Sequence, residues 1–143
     1  MSLLRSDRQV ALQWLHGWAL ETLSHFRFVA DHEVGAEAVA LCESLADERE
    51  QLVGRLAAAI RETGDLPAEP DPDREALQQM QEQLSSVFAE QGGDAMLAYC
   101  GSREEAFLEQ ARQEAGVLEG TRYASLLSAC QASAAQAIKR LQA

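Results

Sequence analysis

At 143 residues with a net charge of −11, the chain fits one ordinary domain, large enough to bury a sizeable core. Only 12 Lys and Arg stand against 23 Asp and Glu, which argues against nucleic acid and anionic membrane surfaces as partners, since phosphates need clustered cationic side chains. No apolar stretch approaches the length of a membrane span, and Met1 to Val10 lacks the apolar run of a signal peptide, so a cytoplasmic protein is expected.

Ala, Leu, Glu and Gln dominate and prolines number 3, a composition of strong helix formers. The first helix is expected from a cap at Asp7 to His32. Trp14, Trp18, Glu21, His25 and Phe28 line one stripe of it, widened by Leu12, Leu15, Ala19, Leu23 and Phe26. The second runs from Gly35 to Glu62 and stops at Thr63-Gly64-Asp65, with Gly64 as the left-handed residue after the helix. Its repeat Leu41, Leu45, Glu48, Leu52, Leu56, Ala59 predicts one buried face with a glutamate in its middle.

Leu66 to Pro72 is the Pro-rich linker of the chain. A third helix starts near Asp71 or Asp73, offers Leu77, Met80, Leu84 and Phe88, and ends at Gln91-Gly92-Gly93. Asp94 is expected to cap a fourth, which runs to Ala115 with Leu97, Cys100, Glu104, Phe107 and Ala111 inward. A turn over Gly116 to Gly120 leads to a fifth helix capped by Thr121, with Tyr123, Leu127, Cys130, Ala134, Ile138 and Leu141 on its inner face. No strand alternation competes. The fold class is all-α, a single helical-bundle domain over 1–143.

Cys42, Cys100 and Cys130 are odd in number and form no CxxC, so neither a zinc knuckle nor a redox motif is supported. Cys100 and Cys130 fall on apolar stripes, where a thiol acts as a small hydrophobe.

Carboxylates on apolar stripes carry more information. Burying one is costly unless it is protonated, paired or bound to a cation, and Glu21, Glu48 and either Glu104 or Glu105 place one on each of three helices. Helix bundles build di-iron and di-manganese sites this way, from glutamates and Glu-x-x-His pairs on facing helices. Here Glu48 is followed three residues later by Gln51, the spacing without the imidazole. Periodicity favours Glu104 over Glu105 as the inward residue. Purely structural pairings stand beside the metal: Glu21 with His25 one turn on, and Glu48 with Arg27, Gln51 or Gln136. Such contacts fix register in a bundle without a catalytic task. His16 and His32 are expected at the surface. Trp14 and Trp18 are expected in the core or in a dimer contact. No phosphate loop, nucleophile elbow, kinase signature or Rossmann signature is present.

The segments Ala46 to Leu52 (ADEREQL), Ala57 to Pro67 (AAAIRETGDLP), Asp94 to Ala111 (DAMLAYCGSREEAFLEQA) and Leu118 to Leu141 resemble the ferritin-like superfamily, in particular the bacterial ferritin-like proteins of unknown function grouped as DUF2383. The resemblance implies a ferritin-like four-helix bundle of two antiparallel hairpins, the first and second helices and the fourth and fifth, with the third helix and the Pro-rich linker as crossover. It also implies where ligands belong. Glu21 with Phe28 is similar to the first-helix pattern, and Glu48 with Gln51 to the Glu-x-x-His of the second. The spacing that mirrors the first half favours Glu105, with Ser133 and Gln136 in the final pair. The implied metal set is Glu21, His25 as a substitute imidazole, Glu48, Gln51, Glu104, Glu105 and Gln136, for iron or manganese. Both histidines and one carboxylate of the full set are missing. The leading expectation is a non-catalytic ferritin-like protein with a degenerate di-metal site, in a stress-associated or assembly role. The alternatives are a carboxylate-bridged protein that binds or oxidises iron, and a small-molecule binder with a cavity lined by Trp14, Trp18 and Phe28. A homodimer is expected where Trp14 and Trp18 are not both accommodated in the monomer core.

Overall fold

The computed structural model describes residues 4–32, 35–68 and 74–142, and these are all-helical, with no strand among them. Six helices follow in order: α1 (Asp7–His32), α2 (Ala36–Glu62), α3 (Arg74–Gln91), α4 (Gly93–Gln113), the single turn α5 (Ala115–Leu118) and α6 (Ala124–Gln142).

The ends of these helices follow from local hydrogen bonding. Ser6, rather than Asp7, caps α1: the Gln9 amide donates to Ser6 Oγ at 3.2 Å and the Ser6 amide donates to Gln9 Oε1 at 2.9 Å. This reciprocal box satisfies two donors that the first turn leaves orphaned. At the end of α2, Gly64 takes φ 85°. Its amide donates to the Arg61 carbonyl and the Asp65 amide to the Ile60 carbonyl, a Schellman closure. Gly92, also at φ 85°, breaks the chain between α3 and α4. Because α4 begins at Gly93, Asp94 lies inside its first turn, where its charge favours the helix dipole but makes no side-chain cap. The turn expected over 116–120 tightens into α5, and the Tyr123 amide donates to Thr121 Oγ1 at 3.1 Å before α6. Asp71 and Asp73, where the third helix was expected to start, lie outside the described residues. So do the side chains of Leu77 and Met80.

The packing pairs α1 with α2 and α4 with α6, and sets α1 against α4 and α2 against α6. Neighbours run antiparallel. Arg5 before α1 meets Asp65 after α2, Glu62 at the end of α2 meets Arg122 before α6, and Glu48 on α2 meets Arg140 near the end of α6. The apolar core has two lobes. One joins Leu12, Leu15, Leu56, Ile60, Phe107, Leu127 and Cys130. The other joins Phe26, Val29, Cys42, Leu45, Leu84, Met96 and Cys100, with Leu84 bringing α3 onto the second lobe. α2 ends beside Arg122, whereas α4 begins near Gly35 and Leu141 at the other end. The segment between them therefore returns the chain along the length of the molecule. No helix among the described residues is long and apolar enough to cross a membrane.

Candidate functional site

Where the two lobes meet, the apolar core is interrupted by one polar side chain from each of four helices. Arg49 of α2 and Glu104 of α4 are the centre, with side chains 1% and 0% exposed. The guanidinium faces the carboxylate in a fork: Nη1 donates to Glu104 Oε2 at 2.9 Å and Nη2 donates to Oε1. Nη1 also donates to Thr22 Oγ1 of α1 at 2.5 Å, and Nη2 to Ser133 Oγ of α6 at 3.2 Å. Planar, bidentate pairing is what a guanidinium does better than any other cation. The rings of Phe107 and Phe26 lie 4.8 and 5.5 Å from the Arg49 carbon, which supplies cation–π contact in place of water. Arg49 Nε is buried with no hydrogen-bond partner. Burial pushes the Glu104 carboxyl above its ordinary value, and the Arg49 charge and hydrogen bonds pull against it.

The backbone places Arg49 there. Successive α-helical residues are about 100° apart, so the inner arc of α2 set by Cys42, Leu45, Ala46, Leu52, Leu56 and Ile60 is centred near position 49. Position 48 falls on the shoulder of that arc. Glu48 is accordingly exposed rather than buried, and its carboxylate pairs with Arg140 at 3.3 Å. The expectation from the repeat, Glu48 three positions after Leu45, is therefore wrong: Arg49, four positions on, fits the same spacing to Leu52 and is the residue inside. Arg27, suggested as a buried partner for Glu48, is instead on the surface with Glu50 at 2.9 Å.

The remaining expected ligands scatter. Glu21 is partly exposed and accepts from Arg103 Nη2 at 3.2 and 3.3 Å, while Arg103 lies 4.8 Å over the Trp18 ring. Glu21 does not pair with His25. His25 is buried, both of its ring nitrogens lack partners, and its ring meets the edge of Tyr99 at 5.4 Å. Burial, with the nearby Arg103 charge, lowers its pKa to about 4. Gln51, Glu105 and Gln136 are exposed. Of the two candidates on α4, periodicity chose correctly: Glu104 is inside and Glu105 outside. Among the described residues no group of three or more His, Cys, Asp or Glu is gathered as a metal would require.

Each of the three carboxylates is instead matched to an arginine from another helix: Glu21 with Arg103, Glu48 with Arg140, and Glu104 with Arg49. The first two are half-exposed pairs, worth little to stability; the third is dry. The aromatic cavity is not assembled either. Trp14 is 55% exposed, Trp18 lies at the edge of one core lobe, and Phe28 is buried in the other. His32 is exposed as expected and stacks on Phe28 at 4.0 Å. His16, by contrast, is buried, and desolvation with the Arg61 charge lowers its pKa. Cys100 and Cys130 are buried; desolvation raises both thiols, Cys130 to about 12, which makes them packing groups rather than nucleophiles. Comparison with protein-family models, curated proteins and solved structures gives no match.

Proposed function

We propose that the chain is a ferritin-like four-helix bundle, with α3 as its crossover, in which an internal ion pair replaces the di-metal centre such bundles build between facing helices. Its role is then structural, as an assembly or stress-associated component, rather than redox catalysis. Two hairpins, α1 with α2 and α4 with α6, and the long return between α2 and α4 support the topology.

The observation that carries the function is the forked contact between Arg49 and Glu104. Both oxygens of the most buried carboxylate are engaged by a fixed positive charge. A divalent cation at this level would have to displace the guanidinium or sit against it, and like charges in a water-poor interior repel strongly. The two other carboxylates that the resemblance nominates, Glu21 and Glu48, are held by Arg103 and Arg140.

The test is aerobic addition of ferrous iron, and separately of manganese, followed by desalting and metal quantification. Wild type, Glu104→Ala and Glu48→Ala would be run side by side. The expected result is no stoichiometric metal in any of them and no acceleration of iron oxidation by the wild type. Stoichiometric iron or manganese that disappears in Glu104→Ala would overturn the proposal in favour of a working metal centre.

A further inference from the structure

A cleft with polar residues in its lining lies away from the central ion pair, in the crevice between α1 and α2. His16 is 4% exposed, and its ring makes no hydrogen bond with any described residue. Its ring nitrogens are not among the atoms sealed without a partner, which among the described residues belong to His25, Arg49 and Arg103, so the ring is open to a ligand. His16 faces a cleft of about 470 Å³, within the size range of small-molecule sites. Leu20, Ala57, Leu66 and Pro67 supply its apolar walls, and Arg61 is the charged residue on its rim. Arg61 is exposed, and no described carboxylate pairs with it. In a chain of net charge −11, that leaves a cation facing an apolar hollow.

The wall contributed by the linker is held in place. Gln13 Nε2 donates to Asp65 Oδ2 at 3.0 Å and to the Leu66 carbonyl at 2.7 Å, and the Ala68 amide donates to Gln13 Oε1 at 3.0 Å. Arg5 anchors Asp65 from the other side at 2.7 Å. The strap holds Leu66 in the lining of the cleft with 72% of its surface exposed, which leaves an apolar edge open to water.

We propose that the His16–Arg61 cleft binds a small amphipathic monocarboxylate. The carboxylate would pair with the Arg61 guanidinium and accept the ring N–H of neutral His16, while the hydrocarbon part covers Leu20, Ala57 and Pro67 beside Leu66. One rim arginine matches a single negative charge. A phosphate, with more charge and more acceptors, would outnumber the single cation and single ring N–H that the cleft offers. The desolvated, uncharged state of His16 suits a hydrogen-bond donor in a site whose charge comes from Arg61. This cleft is independent of the central ion pair, so the two proposals stand or fall separately.

The test is a titration of the full chain with 3-phenylpropionate and with hexanoate, followed by amide chemical shifts, with 3-phenylpropionamide as the uncharged control. Saturable shifts are expected at Gln13, Ala57 and Leu66. Affinity should fall about tenfold for the amide and about tenfold for the acids in Arg61→Gln, the value of one charge-assisted contact. Ala57→Phe, which fills the hollow, should abolish the shifts. Arg61 is exposed, so Arg61→Gln keeps the test decisive should Ala57→Phe misfold. Absence of saturable shifts with both acids, shifts confined to another surface, or unchanged affinity in Arg61→Gln would overturn the assignment.

Discussion

Replacing Arg49 by methionine removes the cation and keeps most of the side-chain volume. The pair is 1% and 0% exposed, so no solvent is at hand to take over Glu104 when the guanidinium goes. Breaking a buried pair from one side typically costs about 3–5 kcal/mol, a large share of the ~5–15 kcal/mol that holds a domain folded. Arg49→Met should therefore lower the urea midpoint by about a fifth or more at constant m-value. The loss should also depend on pH. Burial already pushes the Glu104 carboxyl upward against the pull of Arg49, and without that pull its folded pKa rises further above the unfolded value. A raised folded pKa means the folded state holds the extra proton, so stability falls as pH rises above the ordinary carboxylate range. The variant should be less impaired at pH 5 than at pH 8. In Arg49→Met/Glu104→Leu no charge remains buried, and the unpartnered Arg49 Nε, an unsatisfied group of the kind that costs about 1–3 kcal/mol, is gone as well. Stability should return to within about 2 kcal/mol of wild type or exceed it. Urea melts of the four proteins form a double-mutant cycle. A loss under about 1 kcal/mol in Arg49→Met, or a double variant as weak as the sum of the singles, would refute the reasoning.

Glu48→Ala removes a pair that is 58% and 38% exposed and should change stability by less than about 1 kcal/mol, read from the same melts. His25 has a folded pKa lowered to about 4 from 6.5, so its contribution is complete above pH 6.5 and is lost as pH falls toward 4, about 3 kcal/mol in all. His25→Phe should flatten that part of the stability–pH curve. Gly64→Ala puts a Cβ at φ 85° and should cost about 1–2 kcal/mol, visible as a lower melting temperature. Cys100 and Cys130 should alkylate only as fast as the protein opens, and mild urea should speed their modification.

Helix existence and most of the inner faces of α4 and α6 were legible in the sequence through their apolar repeats: Cys100, Glu104, Phe107 and Ala111 are inside, as are Leu127, Cys130, Ala134 and, just before α6, Tyr123. Leu97, Ile138 and Leu141, by contrast, are half-buried, and Leu126 and Ala137 are inside instead. The stop at Gly64 was legible for the same kind of local reason. α2 was misjudged at one place, and the consequence reached the site. Its repeat allows either 48 or 49 between Leu45 and Leu52, and charged residues at both positions removed the hydropathy signal that would decide. Counting Cys42, Ala46 and Ile60 as inward would have chosen 49. The pairing of Glu21 was not legible, since Arg103 is 82 positions away and only the packing of α1 on α4 brings it near. His16 was expected at the surface as a polar residue outside the apolar stripes of the first helix; the crevice that buries it belongs to α2 and the linker.

The central pair has a property that its net energy does not express. α2 and α4 stand across the core from each other, since the packed neighbours are α1 with α2, α4 with α6, α1 with α4, and α2 with α6. A side chain that reaches from one to the other must be long, and arginine is long enough to cross while its fork still meets the carboxylate. Thr22 and Ser133, on the two intervening helices, then take the donors that point sideways. A slip of one helical turn in any of the four would leave a buried charge or donor unmet, at a cost of several kcal/mol. The surrounding lobes are built from Leu, Ala, Cys and Phe, which accept many registers at similar energy. Arg49 thus penalises the wrong arrangements more than it favours the right one, the logic by which a single buried polar residue fixes the register of a coiled coil. That is why a buried ion pair with little net worth to stability can occupy the centre of this bundle.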